Sequence, residues 1–489
     1  MKRIVHSFVC WSVLMCNLAG VRSEAQTPTL EDFGYGNLTV NGAPVAGRIP
    51  LLIAFFELST NGNNRQTLVA NATITFDTLF FNFLIVPSVN GYFLENSYGT
   101  FSWERAGLIG PAVFDPNETA TLDAQQSIDN PVENVTRYGL DCGAGIAYAL
   151  GRIAAKTGYN FAQWDANGDG TIQQRELSIV LIGNNGQRFA ANRPIGAAGA
   201  GLAIPGQNLT LRGQVASVDH RASFMSISHE LSHSLGTVDL YAANCRSLGL
   251  SLMSCTVFAV DDDRRTYHLD PWHKLRLGWL RPRIFSLASG GVATVAASQI
   301  DSPNTPVILY DPAKGTGEYF IVEFRNNQVS GAHHDINITD PAQPTPFTGV
   351  TNGMAIWHIS PGNPPAYHEG APDLTLGNSA LWNGQETPSL RWSNGDFTAT
   401  TLNPIAIVPD GRELIFEWIT ASDTWADLQH LGAELGTFAQ PFNTLGEAAN
   451  AASHGGTVKF KTGGASTETL TISKRLALQA LGGPVTIGQ

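Results

Sequence analysis

The chain has 489 residues and carries 41 acidic against 29 basic side chains, a formal net charge of -12 at pH 7. That length suggests two to four domains and ample material for a buried core. No basic run breaks the acidic balance, which argues against nucleic acid as a partner and, more weakly, against anionic membrane surfaces.

Residues 1–25 read as a signal peptide. Lys2 and Arg3 precede an apolar stretch through Phe8, Val9, Trp11, Val13, Leu14 and Met15, and Ser23 and Ala25 are small enough for cleavage. The mature protein is therefore expected to be secreted, with no stable membrane insertion, because no other segment is long and apolar enough to span a bilayer. Residues 26–45 are polar and glycine-bearing and read as a flexible lead. Residues 48–58 (RIPLLIAFFEL) form a continuous apolar run, the pattern of a strand buried on both faces. In residues 143–156, Ile146, Leu150 and Ile153 recur at helical spacing.

Residues 165–176 follow and fit the twelve-residue calcium loop at every position. Asp165, Asn167, Asp169, Thr171 and Gln173 supply oxygens from positions 1, 3, 5, 7 and 9, Gly170 stands at position 6, and Glu176 closes at 12. The run after it, residues 177–182, reads as a strand and not as a second helix, so a structural calcium is expected instead of a regulatory hand. Residues 183–213 are rich in Gly, Asn and Ala and read as a loop edging a cleft. Asp219 and His220 are expected to serve the start of the next helix.

Residues 228–241 contain His229-Glu230-x-x-His233-x-x-Gly236-x-x-Asp239. Two histidines four apart project from nearly one face of a helix, where one zinc ion can take both imidazoles. Glu230 lies one position on from the first histidine, placed to act as general base on a zinc-bound water. Ile227, Leu231 and Leu235 form the opposite, apolar face. Gly236 can leave the helix with positive φ and let Asp239 turn back as a third ligand. On spacing alone a later carboxylate, Glu318 or Asp270, stays open for that role. Met253 suits a methionine turn beneath the metal. Tyr241 and Tyr267 are candidates for oxyanion contact. Outside the signal peptide three cysteines remain; Cys245–Cys255 is the expected disulfide and Cys142 the buried thiol.

The zinc motif, the Leu252-Met253-Ser254 stretch and the later Lys274-Leu275-Arg276-Leu277-Gly278-Trp279 stand in the order found in the immune inhibitor A family of secreted zinc metallopeptidases, which the chain resembles over roughly residues 45–420. Residues 91–99 (GYFLENSYG) and 317–325 (GEYFIVEFR) extend the likeness. The resemblance implies an α+β, metzincin-like catalytic domain over residues 46–282, with protein or peptide substrates and zinc and calcium as cofactors.

Residues 283–420 give short alternating runs separated by Pro, Gly and Asn, the pattern of a β-sandwich. His358 within them is expected to be structural. Residues 421–489 combine a short helix near 441–453 with brief strands at 457–461, 469–473, 476–479 and 485–487, and resemble the opening coil of a parallel β-helix. The rival expectation is a peptidase-fold binding or adhesion protein, catalytically inactive and stabilised by calcium. The intact Glu230 speaks against it. The oligomeric state is not legible.

Overall fold

The computed structural model describes residues 27–59, 65–82, 88–129, 134–186, 190–240, 251–253, 267–300, 303–326, 334, 352–360, 390, 392–394, 398, 400–420, 423–452, 456–474 and 476–488. The signal-peptide stretch, Tyr241 and the Cys245–Cys255 pair lie outside them. The fold is α+β.

Five strands make the central sheet: β1 (Gly47–Glu57), β2 (Phe101–Val113), β3 (Ser178–Gly183), β4 (Ala190–Pro194) and β5 (Gln214–Asp219). They lie in the order β2-β1-β3-β5-β4. The first four in that order run parallel, and β4 is an antiparallel edge. The apolar run of β1 is explained by two cores. Ile49, Leu51, Ile53 and Phe55 enter one, while Leu52, Ala54, Phe56 and Leu58 enter the other.

On the second-core face sit α3 (Pro116–Asp123) and α4 (Gly143–Thr157), the latter inserting Ile146, Leu150 and Ile153 as its spacing predicts. Cys142, just before α4, is a buried free thiol. On the first-core face sit α1 (Ala72–Phe81), α2 (Val89–Asn96), α5 (Phe224–His233) and α6 (Pro271–Arg276). No helix among the described residues is long and apolar enough to cross a membrane.

Three expectations are corrected. The lead over residues 26–45 is not flexible where it is described. Glu31–Phe33 form a 3-10 turn, and Thr39–Val40 pairs with Ala43–Pro44 in a hairpin. Asn41 and Gly42 both take positive φ, 50° and 75°, the backbone of a two-residue Asn-Gly turn. Phe33, Val40 and Val45 anchor this segment in the first core. The glycine- and alanine-rich stretch 183–213 holds the edge strand β4 and two further strand pieces, Leu202–Ala203 and Thr210–Leu211. Its backbone lies close to the start of α4, where a Cβ on Gly143 would meet Gly196 O and Pro194 O. In the C-terminal unit, residues 469–473 form no strand, and Leu470 and Ile472 stay exposed without a neighbouring rung to cover them.

After residue 282 come β6 (Arg283–Ser286), β7 (Gly291–Ala296), β8 (Val307–Tyr310), β9 (Tyr319–Asn326), β10 (Asn352–Ile359), β11 (Thr400–Ile407) and β12 (Glu413–Thr420). They form two sheets, β6-β8-β9-β10 and β7-β12-β11, sharing one core. Alternation along β8, β9 and β10 also sends Ile308, Tyr310, Tyr319, Ile321 and Trp357 the other way, into the first core. His358 is structural, buried with Nε2 2.8 Å from Glu318 Oε1 and its ring stacked on Phe320.

The last unit has its own small core of Ala426, Leu445, Ala448, Val458 and Phe460. Its strands β13 (Thr424–Ala426), β14 (Thr457–Phe460) and β16 (Ala477–Ala480) stack in parallel, as do β15 (Gly464–Ser466) and β17 (Val485–Ile487). A helix, α7 (Leu445–Ala451), packs beside them.

Candidate metal centre

Helix α5 carries the motif. Ser223 caps it, its Oγ accepting the Ser226 N–H at 3.1 Å, a contact worth about 1 kcal/mol. Ile227, Leu231 and Leu235 are fully buried and fix the helix against the sheet. From the edge strand, Asn192 Nδ2 donates to Glu230 O and Ser234 Oγ, both at 2.8 Å. The helix ends at His233, and Gly236, at φ 92°, turns the chain back. A Cβ on that glycine would meet Leu38 of the ordered lead at 3.4 Å.

The turn brings Asp239 home. Its Oδ1 lies 3.0 Å from His229 Nε2 and 3.3 Å from His233 Nε2, and the two Nε2 atoms are 3.2 Å apart. The ring tautomers follow from the other nitrogens. His229 Nδ1 sits 2.9 Å from Leu252 O and His233 Nδ1 sits 2.9 Å from Thr237 O. A carbonyl oxygen only accepts, so each Nδ1 carries the hydrogen and, in the neutral ring, each Nε2 presents a lone pair. Two imidazole lone pairs and a carboxylate oxygen thus face one another, an arrangement that repels itself unless a cation or protons lie between. Asp239 Oδ1 is also shielded from solvent without a well-formed hydrogen bond. The rest of that side chain is open, 42% exposed, which leaves an approach to the site.

The electrostatics agree. Burial favours the neutral form of Asp239, but the two imidazoles outweigh it and hold the carboxyl well below the usual carboxylate range. Burial likewise works against a charged His233, and Asp239 and Glu230 push it up overall. Burial raises Glu230, against the lowering effect of both histidines. Among the described residues, the group of His, Cys, Asp and Glu side chains that converges as metal ligands is His229, His233 and Asp239. Nitrogen and carboxylate donors in that number suit zinc and its neighbours.

The other carboxylates left open as ligands have different partners. Asp270 caps α6 and bonds to His273, and Glu318 bonds to His358 and Ser393. Met253 is fully buried near the site, its Sδ accepting Thr237 Oγ1–H at 3.7 Å and its O accepting Leu240 N–H at 2.9 Å. Tyr267 is buried in the first core. Asp219 and His220 are both buried and hydrogen-bonded just before α5. Asp219 accepts from Gly186 N and Arg221 N, and His220 Nδ1 accepts from Val69 N.

In the loop over residues 165–176 four side chains accept from the loop's own backbone, while Gln173 Oε1 accepts from Asn41 Nδ2 at 3.2 Å. Asp165 accepts from Asp169 N and Gly170 N, Asn167 from Asp169 N, Asp169 from Thr171 N, and Glu176 from Ala166 N and Gln173 N. Gly170 takes φ 77° at the sharp turn, as position 6 requires. Thr171 begins the short strand Thr171–Ile172. Further links leave the loop that sequence reasoning missed, those of Gln174 and Arg175 among them. Gln174 donates to Ser234 O at the end of α5 and accepts Gln214 N–H at 3.2 Å. Arg175 N and Nη1 donate to Asn41 Oδ1 and Pro44 O of the lead hairpin.

No family model matches the chain, and no curated protein is significantly similar to it.

Proposed function

We propose that this protein is a secreted zinc endopeptidase of the immune inhibitor A kind, with a metzincin-like catalytic domain. The observation that carries the reading is the meeting of two outward-facing imidazole lone pairs and the Asp239 carboxylate around one point. His229, His233 and Asp239 would hold the ion. A zinc ion there would supply an acidified water and a Lewis acid for the peptide carbonyl. Glu230, next to the first ligand on α5, would take a proton from a water held there and return it to the leaving nitrogen. The edge strand β4, beside α5, offers backbone groups to which an extended peptide could add as a further strand. The test is elemental analysis of dialysed protein with a casein-cleavage assay. About one zinc per chain and cleavage that a zinc chelator stops are expected. A chain that takes up no zinc on reconstitution sinks the reading and favours the inactive binding protein.

Residues 165–176 are read as a calcium site that stiffens the catalytic domain. Calcium at 100 times its Kd would add about 2.7 kcal/mol, and its removal should lower Tm by on the order of 5 °C. Differential scanning calorimetry with and without a calcium chelator checks this. An Asp165→Ala variant should lose the calcium response.

A further inference from the structure

Between the zinc-site turn and α6 lies a buried Asp–His pair that the reaction itself does not use. Asp270 and His273 are both fully buried. Asp270 Oδ1 accepts His273 N–H at 2.9 Å, and Oδ2 faces His273 Nδ1 at 2.7 Å and accepts Ser251 Oγ–H at 2.8 Å. Both carboxylate oxygens therefore accept, which fixes the hydrogen of His273 on Nδ1. The lone pair on His273 Nε2 is then free to accept the backbone N–H of Val238, 3.1 Å away.

Val238 stands directly before Asp239, and Thr237 before it supplies the carbonyl that orients His233. Ser251, held by Asp270, accepts Met253 N–H at 3.1 Å. Between them, Leu252 supplies the carbonyl that orients His229, and Met253 O holds Leu240 N–H just past Asp239. One buried carboxylate thus reaches, by one intermediary on each side, the two backbone segments that orient all three candidate ligands.

We propose that Asp270 and His273 are positioning residues that set the Asp239 turn and the 251–253 turn against α5, and so fix the geometry and affinity of the metal centre. The inference rests on the zinc reading above. Its chemical core is acceptor identity. In Asp270→Asn one oxygen becomes a donor. That donor meets either His273 N–H or the Nδ1–H and Ser251 hydroxyl. The second case drives the ring to the Nε2–H tautomer, which opposes the Val238 N–H.

The test uses the full chain as wild type, His273→Gln, His273→Leu and Asp270→Asn. Each is titrated with zinc against a competing chelator, and the cobalt(II)-loaded form is read by visible absorption. His273→Leu and Asp270→Asn should bind zinc roughly 10–100-fold more weakly and shift the cobalt bands. His273→Gln should stay within a few-fold of wild type, because its Oε1 can accept the Val238 N–H where Nε2 did. Wild-type affinity and spectrum in both His273→Leu and Asp270→Asn overturn the proposal. So does equal loss in His273→Gln and His273→Leu, which would make the ring a space-filler. Should His273→Leu fail to fold, Asp270→Asn against His273→Gln decides. A wild type that takes neither zinc nor cobalt overturns the zinc reading and this one together; a zinc-loaded wild type with indifferent variants overturns only this one.

Discussion

Glu230→Gln should abolish peptide cleavage while leaving zinc bound. The amide keeps the shape of the carboxylate but cannot take a proton at neutral pH, and general acid–base catalysis is typically worth roughly 10^2–10^4-fold. The helix should tolerate the change. Glu230 is anchored through its backbone carbonyl by Asn192, and the apolar face of α5 is untouched. The measurement is kcat/KM on a fluorogenic peptide beside zinc content by elemental mass spectrometry. Wild-type turnover in the variant would mean that another group moves the proton.

Asp239→Ala should empty the metal centre. It removes the carboxylate that, among the described residues, touches both imidazoles, and leaves two nitrogens, too few for a tight site. The loss should exceed the roughly 10–100-fold cost of removing an outer-shell partner, so dialysed protein should retain almost no zinc. Asp239→Asn separates charge from shape: it keeps an oxygen in place but lacks the negative charge. Zinc retained at wild-type level in Asp239→Ala would move the third ligand elsewhere, although Asp270 and Glu318 already have other partners.

The parts of the fold that read from sequence are those whose signal is local. The run 48–58 announces a strand covered on both faces because nearly every side chain is apolar, and β1 is that strand. The His229–Asp239 spacing encodes helix, glycine turn and return within eleven residues, so the convergence needs no distant partner to be foreseen. Most of the parts that did not read depend on contacts far along the chain; the lead hairpin does not. The lead 27–45 is short and polar overall, and its hairpin rests on one local signal, Asn41-Gly42 between Val40 and Ala43. Edge strand β4 is built from Ala, Asn, Arg and Pro, none with strong strand preference, and forms because β5 templates it. Asp270-Pro271 announces a capped helix start, yet the reach of His273 to Val238, thirty-five residues back, is purely tertiary.

The first core has a consequence for how the protein holds together. It runs from the sheet beneath α5 across residue 282 to the outer face of β8, β9 and β10, where Ile308, Tyr310, Tyr319, Ile321 and Trp357 join it. The boundary that composition draws at 282 is thus a change of topology and not of thermodynamics. The chain before residue 282 and the chain after it share this core, and neither covers its own apolar face alone. Cut there, each piece would carry a naked aromatic face into water. The β6-β8-β9-β10 sheet is better regarded as one wall of the core that holds α5 than as a passenger attached to it.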